Sequence, residues 1–259
     1  MELLQTKIQA LLDQYSCRSA VIVMNQSTGD TLAINPAMVF PAASMIKIPI
    51  MIEVMRQAAA GLLPLTKTVE ITSQMKTGGA GILKELQPGI KMTVAELVTL
   101  MIILSDNTAT NILINLAGMA AINTTIRGLG LESTVLQRNM MDFAAAAAGR
   151  ENLTSAADLA RLFAGIAGST AAIPPPYNAM MLDILKRQQI RDKLPFYLPE
   201  ETVIAHKTGT LTGAEHDGGI LFIPGGPYII CVLTDGLAAN YEGLQLVATI
   251  GKTIYEYIS

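Results

Sequence analysis

The sequence predicts an α+β fold, in which a mainly antiparallel sheet flanked by N- and C-terminal helices carries an inserted all-helical lobe. Short β-prone runs separated by tight turns lie near both ends of the chain, whereas helical spacing of apolar residues dominates the middle. Residues 1–40 and 195–259 are therefore assigned to a discontinuous sheet-and-helix lobe, and residues 41–194 to a helical lobe. An active site is expected in the cleft between them.

Each end of the chain contributes a helix and strands. Apolar residues at helical spacing predict a first helix from Leu4 and a closing helix from Tyr241. Five short runs are typical of strands: 20–24, 31–34, 203–208, 219–223 and 228–234. The first two are joined by a turn containing Gly29, and the last two by a Pro-Gly-Gly-Pro turn at 224–227. These turns are too short for crossover helices, so the sheet is predicted to be mainly antiparallel.

Helix-start signals mark the middle of the chain. The stretch 93–96 (Thr-Val-Ala-Glu) has the pattern of a capping box, and Ser155 opens another predicted helix. Pro49 is expected to distort the first turns of the helix that begins at Ser44. The segment 138–153 has no clean period and is predicted to be a surface loop.

Composition excludes several protein classes. The 259 residues are 51% hydrophobic and 15% charged, which suits one body with two lobes and excludes a disordered chain. No apolar run reaches the roughly 18 residues of a membrane span. A net charge of −3 gives no electrostatic footprint for nucleic acid. The N-terminus lacks a secretory-signal pattern, so we expect a cytoplasmic protein or one whose leader was removed. We also expect a monomer.

Several weaker patterns do not meet the requirements of the sites that they resemble. The two histidines, His206 and His216, lack a Gly-x-Ser-x-Gly elbow that would present a serine to them and Asp217. Their spacing matches no familiar ligand pattern, so no metal is expected. Isolated glycine pairs and a Gly-Lys-Thr sequence at 251–253 fail the requirements of nucleotide-binding loops, so no cofactor is expected.

Three short motifs remain, in a defined order along the chain. They are Ser44-Met45-Ile46-Lys47, Ser105-Asp106-Asn107 and Lys207-Thr208-Gly209. Each is weak alone, since Ser73 also stands three residues before a lysine and is interpreted as a polar loop residue. Ser44 differs because it begins a strongly apolar helix, which would place Lys47 one turn below its hydroxyl group.

The three motifs together resemble those of the penicillin-recognising serine enzymes, and the layout of nearly the whole chain is similar to the class A β-lactamase family. The resemblance implies a β-lactamase/transpeptidase-like fold and a serine hydrolase that forms an acyl-enzyme on Ser44. It implies that Lys47, made neutral by burial and by the charge of Lys207, is the base for the attack. Ser105 would pass the proton to the leaving nitrogen.

By the same resemblance, substrate binding is assigned to four further residues: Asn107, Thr208, Gly209 and Thr210. Asn107 and the strand after Gly209 would hold the substrate amide, while Thr208 and the lysine of its motif would bind a carboxylate. Backbone N–H groups of Ser44 and Thr210 would form the oxyanion hole. The expected partner is a small β-lactam or a peptidoglycan-like molecule.

The loop departs from the family pattern. Relatives carry an arginine and, two residues on, the glutamate that activates the deacylating water, whereas this register reads Arg138-Asn139-Met140. Met140 cannot accept a proton, so slow deacylation is expected. Asp142 is considered as a displaced base, and Glu151 as the structural partner of Arg138. The strand after Gly209 also lacks the arginine that many relatives use for the substrate carboxylate.

Two further hypotheses stay open beside a β-lactam hydrolase with slow deacylation. One is a binder or sensor that β-lactams acylate without turnover. The other is a D,D-peptidase or esterase of the same superfamily. Because all three share the acylation chemistry, the motifs alone do not separate them.

Overall fold

The computed structural model describes residues 1–168 and 173–259. The described helices are α1 (Glu2–Leu12), α2 (Lys47–Ala59), α3 (Val94–Ile103), α4 (Asn107–Ala117), α5 (Met119–Gly128), α6 (Phe143–Ala147), α7 (Ala156–Gly168), α8 (Pro175–Lys186) and α9 (Asn240–Ile258). The described strands are β1 (Arg18–Asn25), β2 (Thr31–Ile34), β3 (Val39–Pro41), β4 (Thr68–Glu70), β5 (Lys91–Thr93), β6 (Leu153–Ser155), β7 (Val203–Leu211), β8 (Ala214–Ile223) and β9 (Gly226–Asp235). Short 3-10 helices occupy Ala43–Ile46 and Ser73–Met75.

The main sheet has five strands in the order β2-β1-β9-β8-β7, and every neighbouring pair is antiparallel. The predicted α+β fold class is therefore confirmed. The turn between β8 and β9 needs glycine, because Gly225 and Gly226 have φ angles of 96° and 120° that other residues rarely adopt. Because β1 pairs with β9 along its whole length, the two ends of the chain share one sheet.

Four strands, β1, β7, β8 and β9, are longer than the sequence predicts, and the extension of β7 and β8 matters most for the site. β7 continues to Leu211 and β8 begins at Ala214, so a tight turn at Gly213 joins them. The predicted strand begins at Gly219, whereas β8 also includes the polar run Glu215-His216-Asp217, which is buried. This run is tolerated there because each of its side chains forms hydrogen bonds with neighbouring elements.

The helical region follows its local signals, with two differences. Thr93 and Glu96 form the predicted capping box at the start of α3. Pro49 lies in the first turn of α2, where an N–H group has no helical partner, so the distortion is confined to the preceding 3-10 turn. The predicted loop 138–153 contains the short helix α6 and reaches the first residue of β6, which pairs with β3.

Two buried clusters hold the elements together. One includes Leu4, Ile8, Val247 and Ile254 and lies between the sheet and the packed helices α1 and α9. The other fills the space between the opposite face of the sheet and the remaining helices. Within the described residues, no single helix is long and apolar enough to span a membrane, although α4 and α5, bent by 83°, pass this test as a pair.

Candidate active site

The 3-10 turn before α2 presents Ser44 above Lys47. Ala43 has a φ of +46°, and the chain then enters the helix, whose first turns are buried. Lys47 is fully buried, and its Nζ donates a hydrogen bond of 3.0 Å to Ser44 Oγ. The apolar residues around the turn bring these two side chains within proton-transfer distance, as the helical spacing requires.

Ser105 stands at the junction of α3 and α4 with a φ of +55°. The Asp106 side chain holds this junction, because it caps α4 at Ala109 N and accepts bonds from Ile82 N and Leu83 N. Ser105 Oγ lies 3.0 Å from Lys47 Nζ and 3.1 Å from Lys207 Nζ. Hydrogen bonds thus link Ser44 to Lys47, Lys47 to Ser105, and Ser105 to Lys207.

Lys47 is satisfied entirely by uncharged acceptors. Besides Ser44 Oγ, its Nζ lies within hydrogen-bond distance of Ser105 O, Ser105 Oγ and Asn107 Oδ1, at 2.6, 3.0 and 2.9 Å. Burial lowers the pKa of Lys47 to about 7, although the charge of Asp106 opposes this effect. Because of that low pKa, a large fraction of Lys47 is neutral near neutral pH and can accept a proton.

Lys207 is equally buried and lies on β7. Its Nζ donates to Ser105 Oγ at 3.1 Å and to Thr208 O at 2.7 Å. Burial holds the pKa of Lys207 well below its usual value, and the charges of Lys47 and Lys193 lower it further. Within the described part of the chain, neither Lys47 nor Lys207 forms an ion pair with a carboxylate, so nothing there offsets the effect of burial on their pKa values by direct pairing.

The hydroxyl hydrogen of Ser105 constrains these protonation states. Among the described residues, the only hydrogen-bond partners of its Oγ are Lys47 Nζ and Lys207 Nζ. A protonated lysine has no lone pair, so the hydroxyl can donate only to a lysine that is neutral. A fully satisfied Ser105 therefore requires one neutral lysine, which agrees with the lowered pKa of Lys47.

Strand β7 forms one wall of the cleft. It is an edge strand, so one row of its backbone groups is not used by the sheet. A Cβ at Gly209 would lie 3.2 Å from Ala43 Cβ and Met45 Cγ, closer than most Cβ contacts, so glycine eases the close packing of the nucleophile turn on this strand. The cleft encloses about 280 Å³, and its lining includes Ser44, Asn107, Met140 and Thr210.

The loop after residue 137 forms the opposite wall. Arg138 Nε and Nη2 bind the two carboxylate oxygens of Glu151 at 2.8 and 3.1 Å, the pairing that the sequence analysis favours. Asp142 Oδ1 accepts a bond from Ala145 N and thereby caps α6. The backbone of Met140 is held at both N–H and C=O by the side chain of Asn111. The nearby carboxylates thus hold the loop in place.

Lys193 was missed by the sequence analysis. It is 1% exposed, and its Nζ lies 2.9 Å from Glu215 Oε2 and 3.1 Å from Thr210 Oγ1. Thr210 also donates to Glu215, and Asn240 Nδ2 donates to the other oxygen of that carboxylate. No motif surrounds Lys193, and its only sequence signal is a lysine shortly before the Lys-Thr-Gly strand.

The alternative motifs do not converge on a reactive group. Ser73 is exposed, and Lys76 donates to Leu86 O instead of to that serine. His206 pairs with Asp217 inside the sheet, and His216 binds backbone groups. Within the described ranges, no group of three or more His, Cys, Asp or Glu side chains is arranged to hold a metal ion.

Comparisons with known proteins agree with this geometry. The model of a family described as "Beta-lactamase enzyme family" matches residues 3–258. The extended-spectrum beta-lactamase PER-1 of Pseudomonas aeruginosa is 26% identical over 98% of this chain and 87% of its own length. An acyl-enzyme complex of a PBP-A mutant with penicillin G superimposes with a TM-score of 0.90 at 29% identity, covering 99% of this chain and 96% of that one. A beta-lactamase structure from Sphaerobacter thermophilus gives 0.89 at 30% identity, with 98% and 96% covered.

Proposed function

This chain belongs to the beta-lactamase enzyme family and is a serine hydrolase of the class A type; on that premise we propose that it opens β-lactams through an acyl-enzyme on Ser44 and releases the product slowly. The observation that carries the proposal is the hydrogen-bonded series Ser44, Lys47, Ser105 and Lys207. The PBP-A complex with penicillin G, at 29% identity over almost the whole chain, supports acylation by a β-lactam.

Acylation begins with neutral Lys47. Its Nζ takes the proton of Ser44 as Oγ attacks the lactam carbonyl carbon, and the carbonyl oxygen becomes an oxyanion. The backbone N–H groups of Ser44 and Thr210, which both line the cleft, stabilise that oxyanion. The carbon–nitrogen bond then breaks, and the nitrogen receives the hydroxyl proton of Ser105. Protonated Lys47 then donates a proton to Ser105 and becomes neutral again.

A substrate carboxylate would complement the buried amine of Lys207. Lys207 lacks an ion-pair partner among the described residues, and Thr208 and Thr210 extend along the same strand. The charge of Lys193 is already paired with Glu215, so Lys193 holds the Thr210 side chain in place and leaves the carboxylate to Lys207. An anionic group bound here would raise the pKa of Lys207 and restore its charge, whereas a neutral ester at this position would leave it unpaired.

Deacylation lacks an available base on the loop side. Met140 lines the cleft, and its side chain cannot accept a proton. Glu151 is occupied by Arg138 and by Asn152 N, and Asp142 caps a helix. We therefore expect water to attack the ester without a carboxylate base, so that the acyl-enzyme accumulates.

Stopped-flow measurement with a chromogenic cephalosporin tests the proposal. One equivalent of product should appear in a burst, followed by a slower steady rate. A burst without any later turnover would make the protein a non-turnover binder. Fast linear hydrolysis without a burst would overturn slow deacylation, and the absence of both product and a covalent adduct would overturn acylation itself.

A further inference from the structure

The turn that carries Ser44 is strained. Ala43 adopts a φ of +46°, a region in which a side chain with a Cβ crowds the backbone. Such a conformation persists only where the surrounding structure holds it in place. The contacts on either side of Ala43 therefore decide where the Ser44 hydroxyl points.

Two hydrogen bonds from distant parts of the chain hold the residues just before Ala43. Ala42 N donates to Asn152 O at 2.7 Å. Pro41 O accepts a bond of 2.8 Å from the Nε2 of His216, which lies on β8. Because proline has no N–H group, the carbonyl is the only backbone group through which Pro41 can be held.

The contacts of His216 define its tautomer. Thr234 N–H donates to Nδ1 at 3.3 Å, so Nδ1 carries the lone pair and the hydrogen lies on Nε2. That hydrogen is the one donated to Pro41 O. Burial, the main cause, lowers the pKa of His216, which agrees with a neutral ring. A protonated ring could not accept the bond from Thr234.

The imidazole is also packed close to the strand that adjoins the nucleophile turn. His216 is fully buried, and Phe40 meets its ring edge-on with 6.1 Å between the ring centroids. Its Cδ2 lies 3.3 Å from the position that a Cβ on Gly209 would occupy, and that same position is 3.2 Å from Ala43 Cβ. The ring and Ala43 therefore border the same position on strand β7.

We propose that His216 is a positioning residue for acylation, which fixes the Pro41 carbonyl and so holds Ala43 and Ser44 in the reactive conformation. It contacts no reacting atom, and its effect passes through the backbone of residues 41–43. This inference rests on the proposed function, because the acylation rate of Ser44 is the quantity that it controls. Loss of this support would alter the distance between Ser44 Oγ and Lys47 Nζ, which is 3.0 Å in the structure.

A matched pair of variants separates the two hydrogen bonds of the ring. In His216→Gln, the amide nitrogen reaches the former place of Nε2 and can still donate to Pro41 O. In His216→Asn, the amide oxygen takes the place of Nδ1 and can accept from Thr234, but nothing reaches Pro41. The acylation rate constant and the dissociation constant of the non-covalent complex are measured for the whole chain with penicillin G.

We expect His216→Gln to acylate within about threefold of wild type, and His216→Asn to lose at least about tenfold, since small misplacements of a reacting group slow catalysis strongly. The dissociation constants should stay within about twofold, because the binding residues do not move. If wild type is acylated but His216→Asn reacts as fast, or His216→Gln is as slow as His216→Asn, the inference is wrong while the proposed function stands.

Thermal unfolding of both variants checks that the fold survives. If His216→Asn does not fold, His216→Leu replaces it as the variant without a donor, and the same comparison with His216→Gln applies. If none of the donor-free variants folds, the Gln variant decides alone: fast acylation supports the inference and slow acylation overturns it. If wild type itself forms no adduct, the proposed function fails and the inference fails with it.

Discussion

The two walls of the cleft differ in what their polar groups are free to do. On one wall, Ser44, Lys47, Ser105 and Lys207 form a buried hydrogen-bonded series whose lysines have lowered pKa values. On the other wall, the polar side chains of the loop bind the loop itself. The difference teaches that the groups proposed for the attack on a substrate and those proposed to govern its release belong to separately supported structural units.

The cause of the difference lies in how each wall is supported. The lysines are held by the helices and the sheet edge, so burial can depress their pKa values without loss of structure. The loop contains only a short helix, and it keeps its shape through the Arg138–Glu151 pair and the bonds of Asn111 and Asn152. The carboxylates of this loop are therefore proposed to maintain its shape and not to act as bases.

The largest expected effect is the loss of the covalent adduct in Ser44→Ala. Ser44 supplies the oxygen of the proposed ester, so intact mass after incubation with penicillin G should show one adduct in wild type and none in this variant. Ser73→Ala is the matched control and should keep the adduct, because exposed Ser73 is not paired with its lysine. An adduct retained by Ser44→Ala and lost by Ser73→Ala would contradict the site.

The next effect is the loss of the base in Lys47→Arg. Arginine keeps the positive charge but is not deprotonated in proteins, so acylation should slow by about 10²–10⁴-fold. The measurement is the acylation rate constant from rapid mixing. Lys76→Arg, in the second Ser-x-x-Lys sequence, is the control and should react like wild type. An active Lys47→Arg variant would indicate that charge matters here and basicity does not.

The pH dependence of acylation should follow Lys47. Its pKa is lowered to about 7, and the neutral form is the reactive one, so the rate should rise with pH and level off above about 7. Well below that value, each pH unit should cost about tenfold, because the protonated fraction no longer accepts the serine proton. The measurement is kcat/KM for acylation across pH 5–9, and a flat profile would argue against Lys47 as the base.

The smallest effect is expected on the loop side. Met140→Glu introduces a carboxylate into the cleft wall and should speed deacylation by about tenfold, less than the about 10²–10⁴-fold of a well-positioned general base, while the burst remains nearly unchanged. The two phases of the stopped-flow trace measure these steps separately. Asp142→Asn should alter neither phase by more than about twofold, since an asparagine also caps a helix. If Asp142→Asn abolishes turnover, Asp142 is the base and the assigned register is wrong.

Much of the fold could be predicted because its causes are local. The capping box at Thr93, the glycine turn at 224–227 and the helical spacing of apolar residues each act within a few residues, and the structure contains all three. The first half of β8 could not be predicted in this way. Its Glu215, His216 and Asp217 resemble a polar loop until the partners that satisfy them are known.

The sequence by itself determined the order of the three motifs, the placement of Lys47 one helical turn from Ser44, and the chemistry that these residue types allow. Only the tertiary structure decided that Lys193 stands beside Thr210, that the loop carboxylates are occupied, and that His216 holds Pro41. The physical reason is the range of the interactions. Helix and turn signals act over a few residues, whereas burial, pKa shifts and these hydrogen bonds depend on groups that only folding brings together.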